Sequence, residues 1–456
     1  MLRFFRINDP YRLVFIFVIL VIVRIVQSIV IPGVSYYEIK WLSLGEWLGD
    51  GFIMYKQTYD YTGPVAALIY KLLHFVFGKS VMAYHALNTI LITVQAAIFN
   101  SLLLRNKVYN ENSYLPAFLY AILAVSIIDF MVLSPQLMSL TFILMALRNI
   151  IRRIDNQATD ELFLSSGIYM GVAAMIYLPA GLYLFVFLFS LILFSSAVPR
   201  RLLLYVFGFL LVFAFCGLYF YLVDSFYLFT ERALLQGLWL PARISLSNMQ
   251  LLVYAAPSTV IFFLSLVKKF GQLRLTNFQQ KVEQVIWLIF IGGVVTFFLS
   301  NEREGLEFLF MVPVVAYFWT HYFILLKRRF FKAVMPFLLV FGVLSTSIYF
   351  YSDSAGPLLV AEETPSENLM VLGEKLEVYN QSEMNTPCIN ASISQELAKE
   401  LNSYGGAENF YKIFMAVNPD RVLDEEGVMP RIMQRFPEIE ERYRKVGAME
   451  YAKVSN

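Results

Sequence analysis

Between Ser35 and Pro64 the chain reads SYYEIKWLSLGEWLGDGFIMYKQTYDYTGP, a polar interruption after a long apolar run that gathers acids, aromatics and glycines. Glu38, flanked by Tyr37 and Trp41, is a carboxylate suited to a half-dry site, where desolvation raises proton affinity and favours general-base action on a hydroxyl acceptor. The same position also fits the solvated face of an interfacial helix. Tyr55 and Tyr59 offer flat faces and hydroxyls that could line the path of a sugar or an isoprenoid, or anchor the loop in an aromatic belt. Asp60 precedes Gly63-Pro64, a helix-opening pattern with proline in the first turn. Asp129 stands at the outer end of a later apolar run, ahead of Ser134-Pro135 and Gln136; an acid at that depth faces a cavity or the protein interior, or marks the helix end. Arg232 and Arg243, in a loop with Trp239, and Arg303, between Glu302 and Glu304, suit a phosphate or pyrophosphate, which the planar guanidinium grips in bidentate fashion. Salt-bridged loop charge accounts for these arginines equally well.

The elements that must position these residues are membrane helices. Hydrophobic residues make up 58% of the 456 positions and charged residues only 15%, a balance that excludes an ordinary soluble protein. A net charge of +2 gives no field for nucleic acid. A span needs about 20 mostly apolar residues. Runs that meet this lie near 11–31, 81–104, 114–131, 134–150, 162–178, 180–198, 202–223, 248–267, 283–300, 306–326 and 333–351. The expected fold is therefore a polytopic α-helical membrane protein with about 11 transmembrane helices. Pro179 separates two runs that form an out-and-back hairpin. The first run is a retained span, since it is long enough to cross a bilayer and carries no cleavable signal pattern.

Lys and Arg fall on alternate connections: Arg3 and Arg6; Arg105 and Lys107; Arg148, Arg152 and Arg153; Arg200 and Arg201; Lys268 and Lys269; Lys327 to Arg329. These read as cytoplasmic. The N-terminus is then cytoplasmic, while Ser35–Pro64, Asp129, the loop from Asp224 to Ser247, the turn at 301–304 and everything after Tyr351 are extracytoplasmic. Arg24, inside the first span, snorkels outward or pairs with an acid. In the first outer loop (32–80), Tyr37, Trp41, Leu44 and Leu48 recur at helical spacing with Glu38, Lys40 and Glu46 off that stripe, and Val65–Gly78 forms a second interfacial helix.

The chain divides into a helical bundle over 1–351 and an extracytoplasmic α/β domain over 352–456. In the latter, 368–373 reads as a buried strand closed by a glycine turn. Ser392 and Gln395 stand at capping-box spacing before a helix containing Leu397 and Leu401. Glu408–Val417 reads as a helix, Arg421–Leu423 as a strand and Pro430–Val446 as a charged last helix. Cys216 and Cys388 lie in dissimilar surroundings and form no framework, His74, His85 and His321 show no ligand spacing, and sequons stand at Asn380 and Asn390.

These features together resemble the polytopic C-type glycosyltransferases that use polyprenyl-phosphate-linked sugars. The resemblance rests on Tyr37-Glu38, Gly51, Tyr55, Asp60 and Gly63-Pro64 in the first loop, and on Asp129 in the second outer turn. It rests also on Arg303, Pro313 and His321 in a late loop and helix, and on Val-Leu-Gly, Tyr379 and Asn-Pro-Asp-Arg-Val (418–422) in the tail. The family carries an acidic pair in the first loop; here Tyr37 stands in place of one acid and Glu38 remains. The chain also resembles a group of bacterial inner-membrane proteins, a likeness that assigns no function.

What the resemblance implies is transfer of a sugar from a lipid-linked donor to a cell-envelope glycan, lipid or protein in a bacterial inner membrane, by a single inverting displacement. Glu38 would be the base, Asp129 or Asp60 would position acceptor or metal, and Arg243 and Arg303 would hold the phosphate, with membrane lipid around the bundle. A divalent metal ion is compatible with it, although carboxylates this dispersed establish none. The reading of another class is a non-catalytic envelope scaffold that binds a partner through its C-terminal domain.

Overall fold

A computed structural model describes residues 2–30, 34–58, 60–109, 111–154, 159–195, 198–236, 243–244, 263, 275–300, 302–303, 305–325, 369–373 and 401–454. The runs expected to span at 248–267 (Phe263 apart) and 333–351, Tyr59, Trp239, Tyr379, the two sequons, Cys388 and the capping box at Ser392 lie outside the described residues. Contacts divide the chain into two compact units. The first comprises Met1–Pro32, Met82–Tyr219 and Gly237–Gly356; the second comprises Gly33–Val81, Phe220–Gln236 and Pro357–Asn456.

The first unit is a bundle of helices α1 (Leu2–Phe5), α2 (Tyr11–Val30), α5 (Val81–Arg105), α6 (Leu115–Leu123), α7 (Pro135–Ile154), α8 (Asp160–Ile176), α9 (Tyr183–Phe194), α10 (Pro199–Leu222), α11 (Asn277–Leu299) and α12 (Val312–Leu325). Among the described residues five helical stretches are long and apolar enough to cross a membrane: α2, α5, α10, α11, and Gly305–Leu325, which joins a 3-10 turn to α12. The run expected as a span over 114–131 is different. Its α-helix stops at Leu123, and the chain continues through a turn into a 3-10 segment at Ile128–Met131. Asp129 therefore sits in the connection between α6 and α7, outside the helical spans.

Hydrogen bonds at the helix ends fix how the bundle runs. Asn149 Nδ2 donates to Ser165 Oγ (3.0 Å), Arg153 to the Ser195 carbonyl (2.8 Å) and Arg201 to Asp160 (2.7 Å). The end of α7 thus meets the start of α8, the end of α9 and the start of α10, so α8 and α9 run out and back around Pro179. Arg6 donates to the carbonyls of Phe323 (2.8 Å) and Ile324 (3.1 Å), and Tyr114 N to Phe5 O (2.8 Å). Opposite ends converge elsewhere. Arg24 on α2 donates to Met131 O, Asn88 near the start of α5 to Phe130 O and Val132 O, and Gln136 at the start of α7 to Glu307. Arg6, Arg153 and Arg201 lie at one set of ends, and Asp129, Glu307 and Arg24 at the other. Arg24 does not simply snorkel: its guanidinium satisfies a backbone carbonyl left open by the turn.

The second unit contains α3 (Tyr36–Gly49), α4 (Pro64–Phe77), an eight-residue π-helical segment at Phe229–Gln236, and the tail. In the tail a four-stranded sheet runs in the order β3 (Leu369–Leu372), β4 (Arg421–Asp424), β6 (Glu450–Lys453), β5 (Tyr443–Lys445), with β3 parallel to β4 and the other pairs antiparallel. Helix α13 (Tyr404–Val417) ends at Asn418 in the left-handed conformation. The single helix expected over Pro430–Val446 is instead α14 (Met429–Arg435), α15 (Pro437–Arg442) and β5. Pro437 cannot continue a helix and restricts Phe436 to extended backbone. The core of this domain includes Phe410, Phe414, Met429 and Tyr443, and Tyr61 of the first loop packs against it.

Candidate functional site

In the second unit, Glu38 is the third residue of α3 and closes a capping box with Ser35. Ser35 Oγ accepts from Glu38 N (3.3 Å), and Glu38 Oε2 accepts from Ser35 N (3.0 Å). The carboxylate is 4% exposed, so the solvated-face reading fails. Lys40 is as deeply buried, 5.4 Å from the centre of the Tyr61 ring. Trp41 stacks on Tyr70 of α4 at 5.9 Å, so the helix expected to show a wet face is enclosed on most sides.

Asp60 sits in a tight polar turn. Its Oδ1 accepts from Tyr61 N (2.8 Å) and Thr62 N (3.3 Å), and its Oδ2 accepts from Thr62 Oγ1 (2.7 Å). This Asx arrangement leads directly into Pro64 at the start of α4. Tyr55 adopts φ 64° and is fully buried; its hydroxyl donates to Thr62 O (2.6 Å), and its ring lies 5.2 Å from Phe220 and 5.9 Å from Phe229. Instead of facing an open path, the ring and hydroxyl close the loop upon itself. The buried Arg232 secures the other side by donating to Tyr55 O (2.5 Å) and Thr58 O (3.4 Å). Glu38, Tyr55 and Asp60 thus belong to one loop, with Lys40 and Tyr61 joining α3 to the Asp60 turn.

In the first unit the site forms around the Asp129 turn. The carbonyls of Phe130, Met131 and Val132 are each taken by a side chain: Asn88 Nδ2 at 3.1 and 2.9 Å for the outer two, Arg24 Nη1 at 2.8 Å for the middle one. A second 3-10 segment, Gly305–Met311, packs on this turn. Gly305 meets the Asp129 carboxylate so closely that a Cβ there would overlap it. Among the described residues no side chain hydrogen bonds the Asp129 carboxylate, and burial pushes it up to about 6.

Strand β2 (Glu302–Arg303) ends two residues before Gly305 and pairs in parallel with β1 (Arg243–Ile244), placing Arg243 opposite Glu302 and Ile244 opposite Arg303. The backbone of both arginine-bearing segments is therefore brought together beside the segment that touches Asp129. Glu307, 1% exposed, accepts through Oε1 from Tyr177 OH (2.5 Å), Ser300 Oγ (3.1 Å) and Gln136 Nε2 (3.2 Å). Asn88, Lys40 and Glu307 have no motif that marks them in the sequence, although polar residues inside or beside apolar runs are the signal for them. Among the described residues no group of three or more His, Cys, Asp or Glu side chains is placed to hold a metal ion.

The arrangement can be set beside known structures. ArnT from Cupriavidus metallidurans, bound to undecaprenyl phosphate, aligns at TM-score 0.58 with 13% identity, over 98% of this chain and 99% of that one. The oligosaccharyltransferase of Archaeoglobus fulgidus in the apo form aligns at TM-score 0.53 with 11% identity, over 98% of this chain and 75% of that one. The fold is therefore similar to those of ArnT and the oligosaccharyltransferase. AglB from Archaeoglobus fulgidus, in complex with an inhibitory peptide and a dolichol-phosphate, aligns at TM-score 0.50 with 11% identity and the same shares of the two chains. No protein-family model and no curated protein matches the sequence. The C-type likeness read from the first loop, the Asp129 turn and the tail thus agrees with the fold.

Proposed function

We propose that this protein transfers a sugar from a polyprenyl-phosphate donor to a hydroxyl-bearing acceptor in the cell envelope. The observation that carries this reading is a likeness of fold along nearly the whole of both chains to an enzyme held with undecaprenyl phosphate. In this reading the basic helix ends face the cytoplasm of a bacterial inner membrane, and the end with Asp129 and Glu307 faces outward.

Asp129 is the proposed base, with Glu38 holding the start of α3. A general base works best with a proton affinity near the operating pH, and Asp129, half-buried and with no side chain among the described residues bonding its carboxylate, is pushed up to about 6. Asp129 takes the acceptor hydroxyl proton as the acceptor oxygen bonds to the anomeric carbon. The bond from that carbon to the phosphate oxygen breaks on the opposite face, the electron pair leaves with polyprenyl phosphate, and configuration inverts. Arg243 and Arg303, whose backbone strands pair, neutralise the phosphate charge. Asp60, Tyr55 and Arg232 hold the first loop in shape.

The test is transfer in lipid nanodiscs, with labelled undecaprenyl-phosphate-linked sugars from bacterial membranes as donors and envelope extract as acceptor. Wild-type protein binds undecaprenyl phosphate and transfers label, and Asp129→Asn binds it but transfers at least about a hundredfold more slowly. Absence of both undecaprenyl phosphate binding and transfer overturns the reading in favour of a scaffold.

A further inference from the structure

Glu307 is a carboxylate with almost no exposed surface, and the three donors to its Oε1 come from three different elements. Gln136 is the second residue of α7, Tyr177 follows the last residue of α8, and Ser300 follows the last residue of α11. The Tyr177 and Ser300 hydroxyl oxygens also lie 2.9 Å apart, so the hub is continuous. A buried charge of this kind is costly unless its acceptor sites are filled, and losing one donor is correspondingly expensive. Such a hub could simply tie helix ends together. Its place in the chain argues for more: Glu307 stands two residues after Gly305, within the 3-10 segment whose first residue lies against the Asp129 carboxylate.

We infer that Glu307 is a positioning residue for Asp129: by binding the ends of α7, α8 and α11 it fixes the 305–311 turn, and the turn holds Gly305 as one wall of the half-buried Asp129 site. The inference rests on the reading of Asp129 as the base. Two independent braces act on the Asp129 side, Arg24 and Asn88, and both grip the backbone of residues 130–132. Those bonds hold one wall of the site. The opposite wall depends on the turn that Glu307 anchors, so loss of the hub should open the half-buried Asp129 further to water while the 130–132 backbone stays held.

Carbodiimide labelling of the full-length protein tests this without any donor or acceptor. Dicyclohexylcarbodiimide reacts with protonated carboxyls in apolar surroundings, and a water-soluble carbodiimide reports those that water reaches; peptide mass analysis counts modification at Asp129. In wild-type protein the apolar reagent dominates. In Glu307→Ala the ratio of apolar to water-soluble labelling falls by about tenfold, and in Glu307→Gln, which keeps an acceptor for Tyr177 and Ser300, most of the wild-type ratio returns. Tyr177→Phe removes a single donor and gives an intermediate ratio should Glu307→Ala fail to fold. A hub that only stabilises the bundle would lower the melting temperature and leave the ratio in the folded fraction unchanged, which overturns the inference. A failed transfer assay, with the ratio shifting as expected, would sink the catalytic reading and leave the positioning relationship standing.

Discussion

The Asp129 carboxylate fills the space in which Gly305 would carry a side chain. Gly305→Ala therefore forces either the carboxylate or the 305–311 turn to move, and overpacking of this kind costs about 1–3 kcal/mol. The same substitution in an Asp129→Ala background meets no carboxylate and costs less. Thermal unfolding of the four proteins in detergent micelles forms a double-mutant cycle. Equal costs in the two backgrounds would mean that the two residues are not in contact.

Asp129 also sets a pH dependence. Its carboxyl is held above its ordinary value near 4, at about 6, because burial disfavours the charged form. Between those values the folded protein binds more proton at this group than the unfolded chain does, so its contribution to stability falls as pH rises through the window and is flat above it. Asp129→Asn removes the contribution. Melting temperatures of wild type and variant should diverge from pH 4 to pH 6, with the variant the more stable above that range. Parallel curves would show that the group titrates normally.

Ser35 and Glu38 cap α3 reciprocally, and the two substitutions separate structure from chemistry. Ser35→Ala loses a cap worth about 0.5–2 kcal/mol. Glu38→Gln keeps an oxygen for Ser35 N, since glutamine serves in the same box, and should leave the melting temperature nearly unchanged. With Asp129 as the base, Glu38→Gln also retains transfer within a few-fold of wild type. A loss of transfer without a loss of stability would return the base role to Glu38.

The capping box shows where the sequence was readable and where it was not. Ser35-Tyr-Tyr-Glu38 has the spacing of the motif, yet Glu38 stands out first as an isolated acid. Apolar runs located α2, α5 and α10 because length and composition suffice for a helix that crosses a bilayer. The packing of Lys40 and Trp41 on α3 was hidden, because their partners, Tyr61 and Tyr70, are distant in sequence or on another helix. The same holds for Asn88 and Arg24, whose partners are carbonyls more than forty and one hundred residues away. Nothing local marks which carbonyls a turn will leave open. Pro437, by contrast, was a local signal: it ended the charged helix expected to run through Val446.

Gly167 and Gly171 on α8 face α10, where Gly208 faces back; a Cβ on Gly167 would collide with the Tyr205 carbonyl, and one on Gly208 with the Leu164 carbonyl. Backbone cannot yield as a flexible side chain does, so α8 and α10 must separate to admit either methyl. In a membrane, where helix association depends on close packing rather than on a hydrophobic drive, that separation forfeits most of the contact. Gly167→Ala should lower stability by about 1–3 kcal/mol. Gly405, in the first turn of α13 with open space for 4 Å around the place a Cβ would take, is the control. Gly405→Ala restricts the unfolded chain without a clash and should be neutral or stabilise by about 0.4–1 kcal/mol. If both substitutions lower the melting temperature alike, the difference between the crowded and the open glycine is not what governs stability here.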